Sequence, residues 1–157
     1  MINRILSAAF LGFIGLTSVA FFLVALGIWA VTVPFDRRLA LLHLFTCFWA
    51  SFYLWTMPAW SVRTRGRHRI DRRKAYVVFS NHQSQVDILA AFRLFFHFKW
   101  VSKEEVFRVP LSGWNMALNR YIRLRRGDRR SIEQMLARAE AALRKGSSVY
   151  FFPEGTR

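Results

Sequence analysis

Only one cysteine, Cys47, occurs in the 157 residues. An intrachain disulfide is therefore excluded, and cysteine usage says nothing of an oxidising compartment. Cys47 also lies inside an apolar run, a poor place for a thiolate nucleophile. Acid is scarce: nine Asp and Glu stand against 24 Lys and Arg, a formal charge of +15. Proline and glycine are too few and too scattered to make a flexible linker, and no repeat or low-complexity segment is present. No GxSxG elbow occurs, so a serine hydrolase is disfavoured although Ser80 and Ser84 flank His82. The four histidines are not grouped with other ligands at metal-binding spacing, and no metal site is expected.

Charge is missing altogether from Ile5 to Phe35 and again from Leu39 to Trp60. A helix needs roughly 20 apolar residues to cross a bilayer core, and each run is long enough. The first far exceeds the apolar stretch of a signal peptide, roughly 7–15 residues. A retained anchor is expected. The second run could be a buried core helix, but Tyr53, Trp55, Pro58 and Trp60 near its end favour a membrane interface. Asp36, Arg37 and Arg38 alone join the two runs, so residues 1–60 read as a membrane-embedded helical hairpin. It either crosses twice or dips in and returns; the two arginines in the turn favour dipping. Both versions put the N-terminus and the rest of the chain on one face.

All but three of the basic residues lie beyond residue 60. Arg63, Arg65, Arg67, Arg69, Arg72, Arg73 and Lys74 follow the hairpin directly and place this face in the cytoplasm. Such a domain is drawn to anionic lipid at about 1 kcal/mol per near-surface Lys or Arg. Nucleic acid would suit the charge, but no motif for it is present, and it is not expected as a partner.

Ser61 to Ile70 alternates arginines with Val62, Thr64, Gly66, His68 and Ile70, a period of two that predicts a half-exposed strand. Ala75–Phe79 reads as a buried strand, followed by a helix from about Ser84. Phe98 to Val101 and Tyr121 to Leu124 are further strands, with a short helix over Leu111 to Leu118. Arg129 to Lys145 is the clearest soluble helix, with Ile132, Met135, Leu136, Ala139 and Leu143 on one face. Ser131 and Gln134 could form its capping box, and Gly146 its stop. Ser147 to Phe152 is the last strand. Strands alternating with helices predict an α/β fold with a largely parallel sheet over residues 61–157.

Asn81-His82-Gln83-Ser84-Gln85-Val86-Asp87 follows one strand, and Phe152-Pro153-Glu154-Gly155-Thr156-Arg157 ends another. His82 has the near-neutral pKa that a base acting on an alcohol needs. Asp87, on the first turn of the following helix, could fix its tautomer and steady the imidazolium. Asp87 could equally complete a capping box with Ser84. Gly155 lets backbone approach a ligand closely, and the fork of Arg157 matches phosphate oxygens. His43, His68 and His97 have no carboxylate at similar spacing and read as structural.

These two segments resemble, without substitution, the NHxxxxD and FPEGTR motifs of the glycerolipid acyltransferase family, whose best-known members are the 1-acylglycerol-3-phosphate acyltransferases. The resemblance covers about residues 61 to 157, and the hairpin ahead is similar to that of bacterial members. It implies a glycerol-3-phosphate acyltransferase-like α/β domain that runs on past Arg157, so a C-terminally truncated piece is expected. It implies acyl transfer from a thioester to the hydroxyl of a lysophospholipid, first of all lysophosphatidic acid. Another lysolipid head group is the close alternative. A basic, non-catalytic membrane scaffold is the distant one. His82 and Asp87 would be the catalytic dyad. Glu154, Gly155, Arg157 and Arg126 would bind the acceptor phosphate, joined by Lys103, with Asn81 and Gly113 in support. Acyl-CoA or acyl carrier protein would be co-substrate, with no other cofactor. The implied setting is the cytoplasmic face of a bacterial inner membrane.

Overall fold

The computed structural model describes residues 2–57, 61–81 and 84–152. Helix α1, Ile2–Thr32, fills the first apolar run. It stops two residues short of Pro34, whose ring disfavours helix in the residue before it. Helix α2, Ala40–Thr56, returns along it. Asp36 holds the turn by accepting the Leu41 amide at 2.9 Å. The remaining elements are strand β1 (Val77–Phe79), helix α3 (Gln85–Phe92), strand β2 (Phe98–Lys103), helix α4 (Ser112–Leu118), strand β3 (Ile122–Leu124), helix α5 (Arg129–Arg144) and strand β4 (Ser148–Phe151).

The four strands form one sheet in the order β1-β4-β2-β3, with every pairing parallel. Successive side chains of a strand point to opposite faces, and both faces are used. Phe98, Trp100 and Tyr150 join Cys47, Ala50, Ala91 and Phe92 in one core. Val149 and Ile122 join Met135 and Ala139 of α5 in the other. Helices α2 and α3 thus cover one face and α5 the other. The inner strands are apolar as a parallel sheet covered on both sides requires, whereas β1, expected to be buried, is an edge strand with Val77 and Phe79 exposed.

Among the described residues only α1 is long and apolar enough to cross a membrane. Helix α2 is shorter and largely buried against protein, so the core-helix reading of the second run describes its inner face. His43, fully buried, has one ring nitrogen 3.0 Å from the Phe96 carbonyl and the other 2.8 Å from the Tyr121 hydroxyl. The first must donate, leaving the second to accept from Tyr121. Thr46 Oγ1 accepts from Asn115 Nδ2 at 3.1 Å and Asn119 Nδ2 at 3.0 Å. Leaving such a buried group unpaired costs about 1–3 kcal/mol, so these bonds fix the register of α2 on the domain. Both ends of α2 are held. Leu39 packs in a cluster that takes in Leu118, and the Arg93 guanidinium lies 5.1 Å from the Trp55 ring centroid.

Three local expectations are corrected. Residues 61–70 form no strand; they run as irregular backbone into a 3-10 turn at Arg67–Arg69. No neighbour pairs with them, Gly66 turns at φ 76°, and Arg67 stacks on Phe95. Alternation without a partner strand does not make a sheet. Helix α5 is capped by Asp128, which accepts from the amides of Arg130 and Ser131. Ser131 lies inside the first turn rather than at the cap, and its hydroxyl accepts from the Arg125 amide at 2.8 Å. Of the α5 stripe, Ile132 and Leu136 remain exposed while Met135 and Ala139 are buried. Gly146 does end the helix, at φ 77°.

Gly113 is buried where α4 meets the Glu104–Arg108 turn. A Cβ there would sit 2.6 Å from the carbonyl oxygens of Val106 and Phe107. Gly113→Ala should lower unfolding free energy by about 1–3 kcal/mol through overpacking. Denaturant unfolding checks this, and an unchanged midpoint would refute it.

Lys99 is also buried, and its Nζ donates to the carbonyls of Arg38 and Asn119 at 2.7 Å each. Burial, helped by the charge of Arg120 and opposed by Asp36, pulls its pKa down to about 7. The unfolded lysine titrates near 10.4. Between these values the unfolded chain holds a proton that the folded chain has lost, so stability rises with pH, by up to about 1.4 kcal/mol per unit. Lys99→Met should flatten that rise between about pH 7 and 10. Parallel stability profiles for the two proteins would rule the account out.

Candidate active site at the carboxyl edge of the sheet

Strands β1 and β4 are parallel neighbours, with Phe79 paired to Phe151. The chain leaves β1 into Ser80 and Asn81, and leaves β4 into Phe152. Asn81 and Phe152 therefore leave the sheet at the same end of adjacent strands, which lie about 4.8 Å apart. The exit is stitched together: the Ser80 amide donates to the Phe151 carbonyl at 3.3 Å, and the Tyr150 hydroxyl donates to Ser80 Oγ at 2.9 Å. Open α/β sheets bind ligands outside the carboxyl ends of their strands, and this is that edge.

Asp87 stands on the first turn of α3, half-buried. Its Oδ2 accepts the Ser84 amide at 2.8 Å, and Ser84 Oγ accepts from Val86 at 3.2 Å. The capping-box reading thus describes bonds that Asp87 makes. A second carboxylate oxygen and further lone pairs leave it able to serve a histidine as well. The cap adds rigidity to the carboxylate that a dyad would use. Asn81 is exposed. His82, Glu154, Gly155 and Arg157 lie outside the described residues.

Lys103 is the last residue of β2 and is exposed at the same edge. Arg126 follows β3 in a turn closed by Gly127 at φ 77°. β3 is two strands from β4, so Arg126 starts about 10 Å away laterally. Its neighbours are engaged elsewhere. Arg125 holds Glu104 Oε2 with Nε at 3.0 Å and Nη2 at 2.9 Å. The Arg123 guanidinium lies 4.8 Å over the Phe107 ring. Gly113 does not line this edge; it supports it by allowing α4 to close on the backbone that follows Lys103.

The other described histidines are away from the edge. His43 is in the core, and His97 Nε2 pairs with Ser147 Oγ at 3.0 Å. Burial, then the charges of Lys99 and Arg38, push the His97 pKa down to about 3, so it stays neutral at physiological pH. Sequence reasoning passed over Lys99. Its one signal was a lysine between Phe98 and Trp100 in an otherwise apolar strand. Among the described residues no group of three His, Cys, Asp or Glu could hold a metal ion.

Comparison with known proteins sets this edge in context. A chloroplastic 1-acyl-sn-glycerol-3-phosphate acyltransferase of Arabidopsis thaliana is 37% identical over 125 residues, covering 79% of this chain and 34% of that protein. A 1-acyl-sn-glycerol-3-phosphate acyltransferase of Chlamydomonas reinhardtii is 34% identical over 160 residues, covering 100% of this chain and 47% of that protein. One from Pseudomonas aeruginosa is 33% identical over 113 residues, covering 69% and 44%. The chain thus spans less than half the length of each of these relatives. The crystal structure of the 1-acyl-sn-glycerophosphate (LPA) acyltransferase PlsC from Thermotoga maritima shares the fold, with a TM-score of 0.58 at 22% identity over 90% of this chain and 61% of that one. The Acyltransferase family model matches residues 61–157, the span that holds the whole sheet and both motifs. The chain belongs to the Acyltransferase family.

Proposed function

We propose that this chain carries the acyl-transfer site of a membrane-bound enzyme that esterifies the free hydroxyl of lysophosphatidic acid, giving phosphatidic acid for phospholipid synthesis. The observation that carries the reading is the in-register exit of the two motif segments from β1 and β4. It supports a base and a phosphate site a few ångströms apart, the separation between a glycerol hydroxyl and its phosphate. The names of the relatives support the acceptor.

In this mechanism His82 takes the proton of the acceptor hydroxyl as its oxygen attacks the thioester carbonyl. Asp87 orients the imidazole and stabilises its charged form. The tetrahedral intermediate collapses with cleavage of the C–S bond, and His82 returns the proton to the departing thiol. The thiolate is a good leaving group, so no covalent enzyme intermediate is needed. Arg157, Arg126 and Lys103 hold the acceptor phosphate, with Glu154 and Gly155 shaping the turn. The donor is acyl-CoA or acyl-acyl carrier protein.

The packing of the hairpin supports the dipping arrangement. Helix α2 touches one α/β unit at both ends, and α1 is tied to α2 from Phe13, against Phe52, to Ala25, against Leu42. A crossing by α2 would have to pull its ends apart. The outer side of α1, with Leu11, Leu16, Leu23 and Val31 more than 60% exposed, is left for lipid. The basic cluster from Arg63 to Lys74 supports a cytoplasmic face of a bacterial inner membrane.

His82→Ala in the full-length protein should cut acyl transfer to lysophosphatidic acid by at least about 100-fold while vesicle association persists. Near-normal turnover in that variant would remove the general base. Arg157→Ala should raise KM for lysophosphatidic acid by roughly 10-fold, the worth of a charge-assisted hydrogen bond, and leave KM for the thioester unchanged. Steady-state kinetics with each substrate varied in turn decide it; an effect confined to the thioester would count against the phosphate role.

A further inference from the structure

A second basic site lies at the opposite edge of the sheet. A cleft of about 400 Å³ runs beside the edge strand β3, between α5 and the turn that joins α1 to α2. Half of its fourteen lining residues are basic and none is acidic. Arg37 and Arg38 come from the hairpin turn, Lys99 from β2, Arg120 from the end of α4, and Arg138 and Lys145 from α5. Lys99, Tyr121 and Ser147 mark the amino-terminal edge of the strands. From Lys99 to Lys103, at the carboxyl edge, β2 runs about 13 Å. The cleft is therefore separate from the proposed acyl-transfer site.

The acids of α5 are engaged elsewhere: Glu133 pairs with Arg129 and Glu140 with Arg144. Asp36 caps α2 through Leu41, and its single charge, which acts on Lys99, offsets only part of the cleft's excess. Among the described residues no salt bridge involves any of the cleft's basic side chains. Like charges gathered this closely repel one another, and an anion offsets that repulsion. Arg120 reaches the cleft from the left-handed cap that ends α4, at φ 54°, where its amide donates to the Ala117 carbonyl and the Tyr121 amide to Met116. Its side chain completes the clamp of basic groups that lines the cleft.

The surroundings favour one source of anion. The turn that contributes Arg37 and Arg38 also carries Phe35, 67% exposed, and the end of α1 that leads into it carries Val31, 69% exposed. Apolar surface thus lies next to the basic mouth. A free anion has no use for it, whereas a phospholipid would lay its chains there and its phosphate in the cleft.

We propose that this cleft binds the headgroup phosphate of an anionic phospholipid, as a docking site distinct from the one that holds the reacting lysolipid. Occupation would hold the hairpin turn against the α/β unit, because Arg38 also donates to the Gly146 carbonyl at 3.0 Å.

The test is equilibrium binding of the full-length protein to phosphatidylcholine vesicles with and without phosphatidylglycerol. No lysolipid or thioester is present, so the result is independent of turnover. Arg138→Gln with Lys145→Gln should weaken binding to the anionic vesicles roughly 30-fold, at the usual contribution of two near-surface charges. Binding to phosphatidylcholine alone should be unchanged. Arg129→Gln with Arg144→Gln removes the same charge from the same helix outside the cleft and should have a clearly smaller effect. Equal losses would mean diffuse attraction and overturn the site. Arg120→Gly should weaken anionic-vesicle binding roughly 5-fold without lowering the thermal midpoint, since glycine tolerates that backbone. Unchanged binding would overturn the role of Arg120 and, with it, the clamp. Inorganic phosphate at matched ionic strength should not release the protein. Release that depends on Arg138 and Lys145 would make the cleft a free-phosphate site and overturn the lipid assignment.

Discussion

The aromatic face of the sheet has to be covered, and an apolar helix from the hairpin covers it. Phe98, Trp100 and Tyr150 form a continuous surface that α3 alone, eight residues long, is too short to shield. Helix α2 supplies the rest, and its polar side chains point where protein can satisfy them. Thr46 is bonded to the buried Asn115 and Asn119, and the buried His43 to Tyr121 and the Phe96 carbonyl. The anchor and the sheet are thus one packed unit. That unit places the hairpin turn against Lys99 and Gly146, and through the sheet it sets the height of the carboxyl edge.

Parallel pairing does the remaining work of placement. β4 is last in the chain but lies between β1 and β2. This insertion brings two segments about seventy residues apart in sequence to adjacent exits. The cap at Ser84 then starts α3 at once, so that a residue five positions after His82 is held on a rigid first turn. The opposite edge collects basic residues from the hairpin turn, β2, the end of α4, β3 and α5. One sheet therefore presents two edges of different character, one bearing the family motifs and one with charge and apolar surface side by side.

Much of this was legible in the sequence. The strands that carry β1, β2, β3 and β4, and the helices between them, follow from short apolar runs and the 3.6-residue period. Ser84 and Asp87 spelled a cap that is present. The arginine alternation before Ile70 misled, because period two describes a strand only when a partner exists to pair with it. Ser131 was a plausible cap, but its hydroxyl is drawn to the backbone of Arg125, a contact that depends on tertiary geometry. The second apolar run was ambiguous for a simple reason: a helix apolar all round reads alike in lipid and in a core. What distinguishes them is the partner of His43, and Tyr121 is 78 residues away. For the candidate site, the motifs supplied the residues to look for, and the sheet order supplied what no motif could, the pairing of β1 with β4 that sets Asn81 and Phe152 at neighbouring exits.

The burial of Cys47 and Ala50 among Phe92, Phe98 and Trp100 has a practical consequence. Trimming a membrane anchor is a common route to a soluble catalytic fragment. Here a cut after residue 60 would strip one wall from the interior and leave the ring cluster facing water. Detergent or a lipid nanodisc belongs in any preparation of this protein, since the part that binds the membrane is also the part that keeps the sheet dry.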